Sequence, residues 1–147
     1  MKLALTTAVL ACLTALWTGS ALGGSKLHIV TTEQVSIGAS TGPFSFSGDV
    51  ADAGSFVFNS FLSAGSPSFS PSTEHVVQTY LGGAGTLTVQ KECLTVYIGG
   101  GLFSDTCQAV VLGGTGAYEG EHGAGSCTGV ISLVTGIASQ TCDLRLN

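Results

Sequence analysis

The chain has 147 residues, of which 44% are hydrophobic and only 9% are charged, with 22 glycines and a formal net charge of −5 at neutral pH. A composition so rich in apolar residues excludes an intrinsically disordered protein, and the length suits one domain with its own core. The lysine and arginine residues, 4 in all, are too few to neutralise a phosphate backbone or an anionic membrane surface, which argues against nucleic-acid binding.

The N-terminus has the pattern of a secretory signal peptide. Lys2 provides a positive charge, Leu3–Trp17 is an apolar run broken only by threonines, and small residues follow as far as Gly23. The run is too short to span a bilayer, and no second long apolar run follows, so we expect no membrane insertion. We expect residues 1–23 to be removed on export, which leaves a secreted, extracellular protein with a single domain over residues 24–147.

The rest of the chain is dominated by a period of two residues. In "KLHIVTTEQVSIG" the residues Leu27, Ile29, Val35 and Ile37 alternate with polar residues, as in a strand with one buried face. About eight such runs are bounded by glycine, serine, aspartate and proline clusters, and we find no convincing helical stripe. This pattern predicts an all-β fold, either a sandwich or an eight-stranded antiparallel up-and-down barrel. We favour the closed barrel because the chain has few charges to protect exposed strand edges.

One of these runs changes phase. "TLTVQ" places Leu87 and Val89 on one face, whereas "CLTVYI" places Leu94, Val96 and Ile98 on the opposite parity. This shift predicts a β-bulge or a sharp bend near residues 91–92.

Four cysteines remain after export, and in an oxidising compartment an even number predicts disulfides. Cys93 and Cys107 are symmetric about Gly100 in "YIGGGLF", so a glycine hairpin turn there would place them opposite each other on adjacent strands. Cys127 and Cys142 would then form the second disulfide, around a turn at residues 134–136. The competing pairing is Cys107 with Cys127.

The stretch "LGGTGAYEGEHGAG" is too rich in glycine to be an ordinary strand. A dinucleotide-binding fingerprint would need a third glycine where Glu119 stands and a following helix, and a phosphate-binding P-loop would need a lysine. We therefore expect no cofactor here. Glycines with positive φ would instead turn the chain from one strand into the next, with Tyr118 packed over the corner and Gly120 and Gly123 admitting a close backbone approach.

The same stretch resembles a known family. Its corner motif is similar to the G-[ST]-G-x-[FY]-x-G-x-x-G corner of the allene oxide cyclase and dirigent barrel superfamily, and "VADAGSFVF" and "GGAGTLTVQ" resemble further stretches of small secreted relatives. The resemblance implies an eight-stranded antiparallel barrel with an apolar interior, often assembled as a homotrimer. Family members cyclise a reactive oxylipin or steer the coupling of radicals, but no pocket residue matches either activity here. The motif residues are Gly114, Gly116, Tyr118, Gly120 and Gly123.

The best candidates for acid–base chemistry are Glu119, Glu121 and His122. In an extended chain the two glutamates would share a side and the histidine would face away, so the three do not obviously converge, and a solvated corner is the simpler interpretation. Glu74 and His75 repeat the same dipeptide, but the spacing lacks the close pair that a metal site needs. We therefore expect no metal.

Two functions from different classes are compatible with this sequence. The first is a non-catalytic secreted barrel that binds an apolar small molecule or a partner surface. The second is a cofactor-free cyclase-type enzyme that holds a reactive lipid or polyketide-like substrate in one conformation. An open cavity with a buried carboxylate or histidine would favour the enzyme, and a filled apolar core would favour the binding or structural role. An exported factor that acts on another organism is also compatible, although no motif supports it.

Overall fold

The computed structural model describes residues 27–65 and 71–147, so the predicted signal peptide lies outside the described residues. One short 3-10 helix (Gly116–Tyr118) separates the sixth and seventh of eight strands. The strands are β1 (Leu27–Ser36), β2 (Thr41–Gly48), β3 (Asp52–Ala64), β4 (Ser72–Gly82), β5 (Thr86–Gly99), β6 (Leu102–Gly114), β7 (Gly123–Ser132) and β8 (Ile137–Leu146).

Each strand pairs antiparallel with the next, and β8 returns to pair with β1. The closing ladder is continuous from the pair Leu27 and Leu146 to the pair Ser36 and Ile137. The predicted eight-stranded up-and-down barrel is therefore confirmed. Closure leaves no unpaired sheet edge among the eight described strands, which suits a chain with so few charged side chains.

The predicted bulge at residues 91–92 is wrong. Pairing between β5 and β6 runs without a break from Gln90 to Tyr97, and the irregularities lie on either side of that segment. Polar side chains occupy inward positions of β5, among them the buried Lys91, while Leu94 and Ile98 point outward with exposed fractions of 47% and 56%. The hydrophobic pattern changed phase because the inner and outer surfaces exchange character along the strand, while the buried positions keep one parity from Leu87 to Thr95.

The four cysteines form one row across β5, β6, β7 and β8. Disulfides join Cys93 to Cys107 and Cys127 to Cys142, with Cα atoms 4.0 and 3.9 Å apart. Cys107 also lies opposite Cys127 in the register of β6 and β7, so the two cysteines of the competing pairing are neighbours as well. Facing pairs in an antiparallel row alternate between closer and wider spacing, and the disulfides occupy two close pairs. The preferred connectivity is confirmed.

The glycine-rich corner closes one end of the barrel, which we call the closed end. Tyr118 is fully buried; its hydroxyl donates to Asp52 Oδ2 at 3.0 Å, and its ring packs edge-on against Phe46. Gly116 has a φ of 63°, and a Cβ there would clash with the backbone oxygen of Ala84 in the turn between β4 and β5. Gly123 admits a close backbone approach as predicted, whereas the space beside Gly120 is open.

Candidate functional site

The opposite end of the barrel contains a cavity of about 620 Å³. It lies where β1 ends, because residues 37–40 of the β1–β2 connection contribute to its lining. We call a set of apolar, mostly partly exposed lining side chains the cavity wall, and a set of polar, mostly buried lining side chains the cavity floor. The wall comprises Val35, Ile37, Phe58, Phe61, Ile131 and Ala138; the floor comprises Glu33, Gln78, Lys91, Asp105 and Gln140.

An ion pair lies at the centre of the cavity floor. Lys91 Nζ is 2.6 Å from Glu33 Oε1, and the two side chains are only 2% and 8% exposed. The other carboxylate oxygen of Glu33 accepts hydrogen bonds from Gln78 Nε2 at 2.6 Å and from the Tyr80 hydroxyl at 2.8 Å. A buried charge is tolerated when its partner and its remaining hydrogen bonds are supplied, and here β4 and β5 supply them to Glu33.

A second carboxyl group is connected to this pair through an amide. Lys91 Nζ also donates to Gln140 Oε1 at 2.6 Å, and Gln140 Nε2 donates to Asp105 Oδ2 at 2.7 Å. The other oxygen of Asp105 accepts a hydrogen bond from Thr95 at 3.2 Å. Gln140 can bridge the two charged groups because its amide offers both an acceptor and donors. The polar floor is therefore one connected network across five strands.

Burial shifts the pKa values of three groups in this cavity, namely Asp105, Glu74 and Lys91. Burial raises the pKa of Asp105, although hydrogen bonds from Thr95 and Gln140 and the nearby Lys91 charge act in the opposite direction. The pKa of Glu74, which also lines the cavity, is raised first by burial and then by the negative charge of Asp105. Burial lowers the pKa of Lys91 against the attraction of Glu33. Such shifts in a cavity are typical of functional sites, although structural networks produce them too.

The acid–base candidates named from the sequence lie away from this cavity. Glu119 and His122 are exposed and Glu121 is partly buried, all on the corner that closes the opposite end. His122 exchanges backbone hydrogen bonds with Asn147. None of the three lines the cavity.

The two Glu-His dipeptides do not form a common site. Glu74 lines the cavity, whereas its neighbour His75 points outward and contacts Glu92 on β5. His28 lies on the outer surface, with Nε2 3.0 Å from Asp143 Oδ2. Among the described residues, one group has ligand atoms close enough together for a metal, namely Cys93, Asp105 and Cys107. Its two sulfurs are joined in a disulfide, which leaves one carboxylate as an ordinary ligand.

Sequence reasoning missed the cavity floor, although a signal for it was present. Glu33 has the same strand parity as Ile29 and Val35, and Asp105 has that of Phe103 and Cys107. A charged residue in the apolar phase of a strand is expected to point inward, where it needs a partner. Because the alternation was judged from the apolar residues alone, these two carboxyls were not considered and the polar interior was missed.

No protein-family model matches this chain, and no curated protein or solved structure matches it either. In the part of the chain that the structure describes, no helix has the length and apolar character needed to cross a membrane.

Proposed function

We propose that this protein is a secreted β-barrel that binds a small, largely apolar molecule in the cavity at its open end. The observation that carries the proposal is the cavity itself, with a volume of about 620 Å³, an apolar wall and a polar floor. Pockets for small molecules typically enclose a few hundred Å³, with mostly apolar lining and a few placed polar groups. The wall would cover the body of the ligand, and the floor would orient its polar end.

The rest of the molecule supports this proposal. A disulfide at Cys93 and a continuous hydrogen-bond network lie against the cavity, so the site is formed before a ligand arrives and little ordering is needed on binding. Disulfides are stable in oxidising compartments, which agrees with the export predicted from the N-terminus. The barrel expected from the resemblance to the allene oxide cyclase and dirigent superfamily is the fold observed. The homotrimer that this resemblance implies is also part of the proposal.

Filling the cavity should abolish binding. Ala138 lines the wall, and Ala138→Trp would place an indole ring where the ligand body would lie. We expect the wild-type protein to bind pyrene, an uncharged apolar fluorophore, saturably at one site, and the Ala138→Trp variant to lose that binding. Fluorescence titration measures both.

The matched control for this experiment is Ala53→Trp, because Ala53 is exposed on β3 at the other end of the barrel. It should bind pyrene like the wild type. Equal pyrene binding by all three folded proteins, or no saturable binding by any of them, would contradict the proposal.

A second candidate function is the cyclase-type activity on a reactive lipid or polyketide-like substrate. The barrel has an apolar core at its closed end and an open cavity with buried carboxyls at the other end. An open cavity with a buried carboxylate is the feature that we expected of an enzyme. Asp105 and Glu74 both have a raised pKa, which moves a carboxyl toward the range useful for proton transfer at neutral pH. Substrate turnover that Asp105→Asn removes while pyrene still binds would favour this function over simple binding.

A further inference from the structure

We propose that the cavity ligand carries a positive charge, as an organic amine with an apolar body. This inference rests on the proposed function and specifies the class of its ligand. Its starting point is the set of ionisable groups that line the cavity, which are Glu33, Glu74, Asp105 and Lys91. One ammonium group faces three carboxyls, so the ionised cavity has an excess of negative charge that no other side chain among the described lining residues neutralises.

Lys91 already has an anionic partner, Glu33, inside the cavity. Its Nζ donates to Glu33 and to Gln140, both at 2.6 Å, and lies 5.8 Å from the centre of the Tyr80 ring. A carboxylate entering the cavity would compete with Glu33 for this ammonium and would approach Glu74 and Asp105, which carry the same sign of charge. Like charges brought together in a desolvated site repel each other strongly, so a fatty-acid head group is disfavoured.

A metal ion also fits this cavity less well than an organic cation. Small hard cations need several oxygen ligands at close range, and the three cavity carboxyls do not meet as a metal-ligand group among the described residues. An ammonium group needs fewer contacts, because a single carboxylate acceptor gives a strong charge-assisted hydrogen bond. The apolar wall then matches a hydrocarbon or aromatic body, with Phe58 and Phe61 as neighbouring rings whose centroids are 6.0 Å apart.

Three probes with the same tail test the charge of the ligand: octylamine, octanol and octanoate. Isothermal titration calorimetry of the full barrel at neutral pH should show octylamine binding at least about tenfold more tightly than the other two. Asp105→Asn and Glu74→Gln should each reduce that preference, because each removes one negative charge from the cavity. Glu119→Gln, which removes an exposed charge at the closed end, should leave the preference unchanged.

The same titration should depend on pH with a defined sign. Octylamine stays protonated well above neutral pH, as lysine does, whereas Asp105 and Glu74 have a raised pKa. The charges that act on Asp105 are those of Lys91 and Glu33, and the charge that acts on Glu74 is that of Asp105. Octylamine affinity should therefore weaken as the pH falls through their raised pKa values, at a higher pH than for ordinary carboxyls, while octanol affinity changes little.

The outcomes separate this inference from the proposed function. If octanol or octanoate binds in the cavity as tightly as octylamine, the proposed function stands and the cationic ligand is wrong. If none of the three probes binds and pyrene also fails to bind, the proposed function itself is wrong. If the Glu119→Gln variant loses the preference as fully as Asp105→Asn, the effect comes from overall charge and the assignment to the cavity is overturned.

Discussion

Lys91→Met should lower the free energy of unfolding by about 3–5 kcal/mol, because it removes one partner of a buried ion pair and leaves the other without compensation. The side chains of Lys91 and Glu33 are only 2% and 8% exposed, so the remaining carboxylate would be largely desolvated and would lack its charged partner. The methionine side chain has a similar length, which limits the contribution of an empty space. Urea unfolding followed by circular dichroism measures the effect.

The double variant Lys91→Met/Glu33→Gln separates charge from packing. A glutamine can keep accepting the hydrogen bonds from Gln78 and Tyr80 without carrying a charge. We expect the double variant to be more stable than Lys91→Met alone, because replacing both members of a buried pair is far less costly than removing one. A Lys91→Met protein as stable as the wild type would show that the pair is not buried in solution.

Removing either disulfide should lower the free energy of unfolding by about 3 kcal/mol, the value for closing a loop of roughly fifteen residues in the unfolded chain. The sequence separations are 14 and 15, so the two removals should cost nearly the same. The variants are Cys93→Ala/Cys107→Ala and Cys127→Ala/Cys142→Ala, since alanine introduces no buried polar group. Urea unfolding without reductant gives both values.

The two disulfides also differ in a way that the same variants test. Cys93 lines the cavity, whereas Cys127 and Cys142 do not. The first variant pair should therefore change pyrene binding, and the second pair should leave it close to the wild type. Variants with unchanged stability would contradict the account of the disulfides, and equal losses of pyrene binding would contradict the placement of Cys93 at the cavity.

The features that the sequence could predict are those set by short-range chain geometry. A glycine turn between two strands places residues symmetric about it opposite each other, which is why Cys93 and Cys107 could be paired from their spacing around Gly100. The glycine-rich corner could be predicted for the same reason, because positive φ at Gly116 and Gly120 is a local requirement that glycine meets at little cost. Alternation over about eight runs then suggested the barrel.

The cavity floor could not be assembled in the same way, because its contacts join residues far apart in the chain. Glu33 and Lys91 are separated by 58 positions, and nothing local to either residue indicates the other. Their inward orientation was open to prediction from strand parity, but the assumption that apolar residues mark the inside gave the wrong face for part of β5. Apolar outer residues such as Leu94 and Ile98 made that assumption fail.

The most direct test of a ligand-binding barrel is native mass spectrometry of the full chain, purified without reductant from the organism that produces it. We predict a protein with both disulfides intact that carries one discrete small molecule, whose accurate mass after release fits an apolar compound with a basic nitrogen. The Ala138→Trp variant from the same host should lack that molecule. An intact protein that carries nothing in repeated preparations, and that is indistinguishable from the Ala138→Trp variant, would contradict the account.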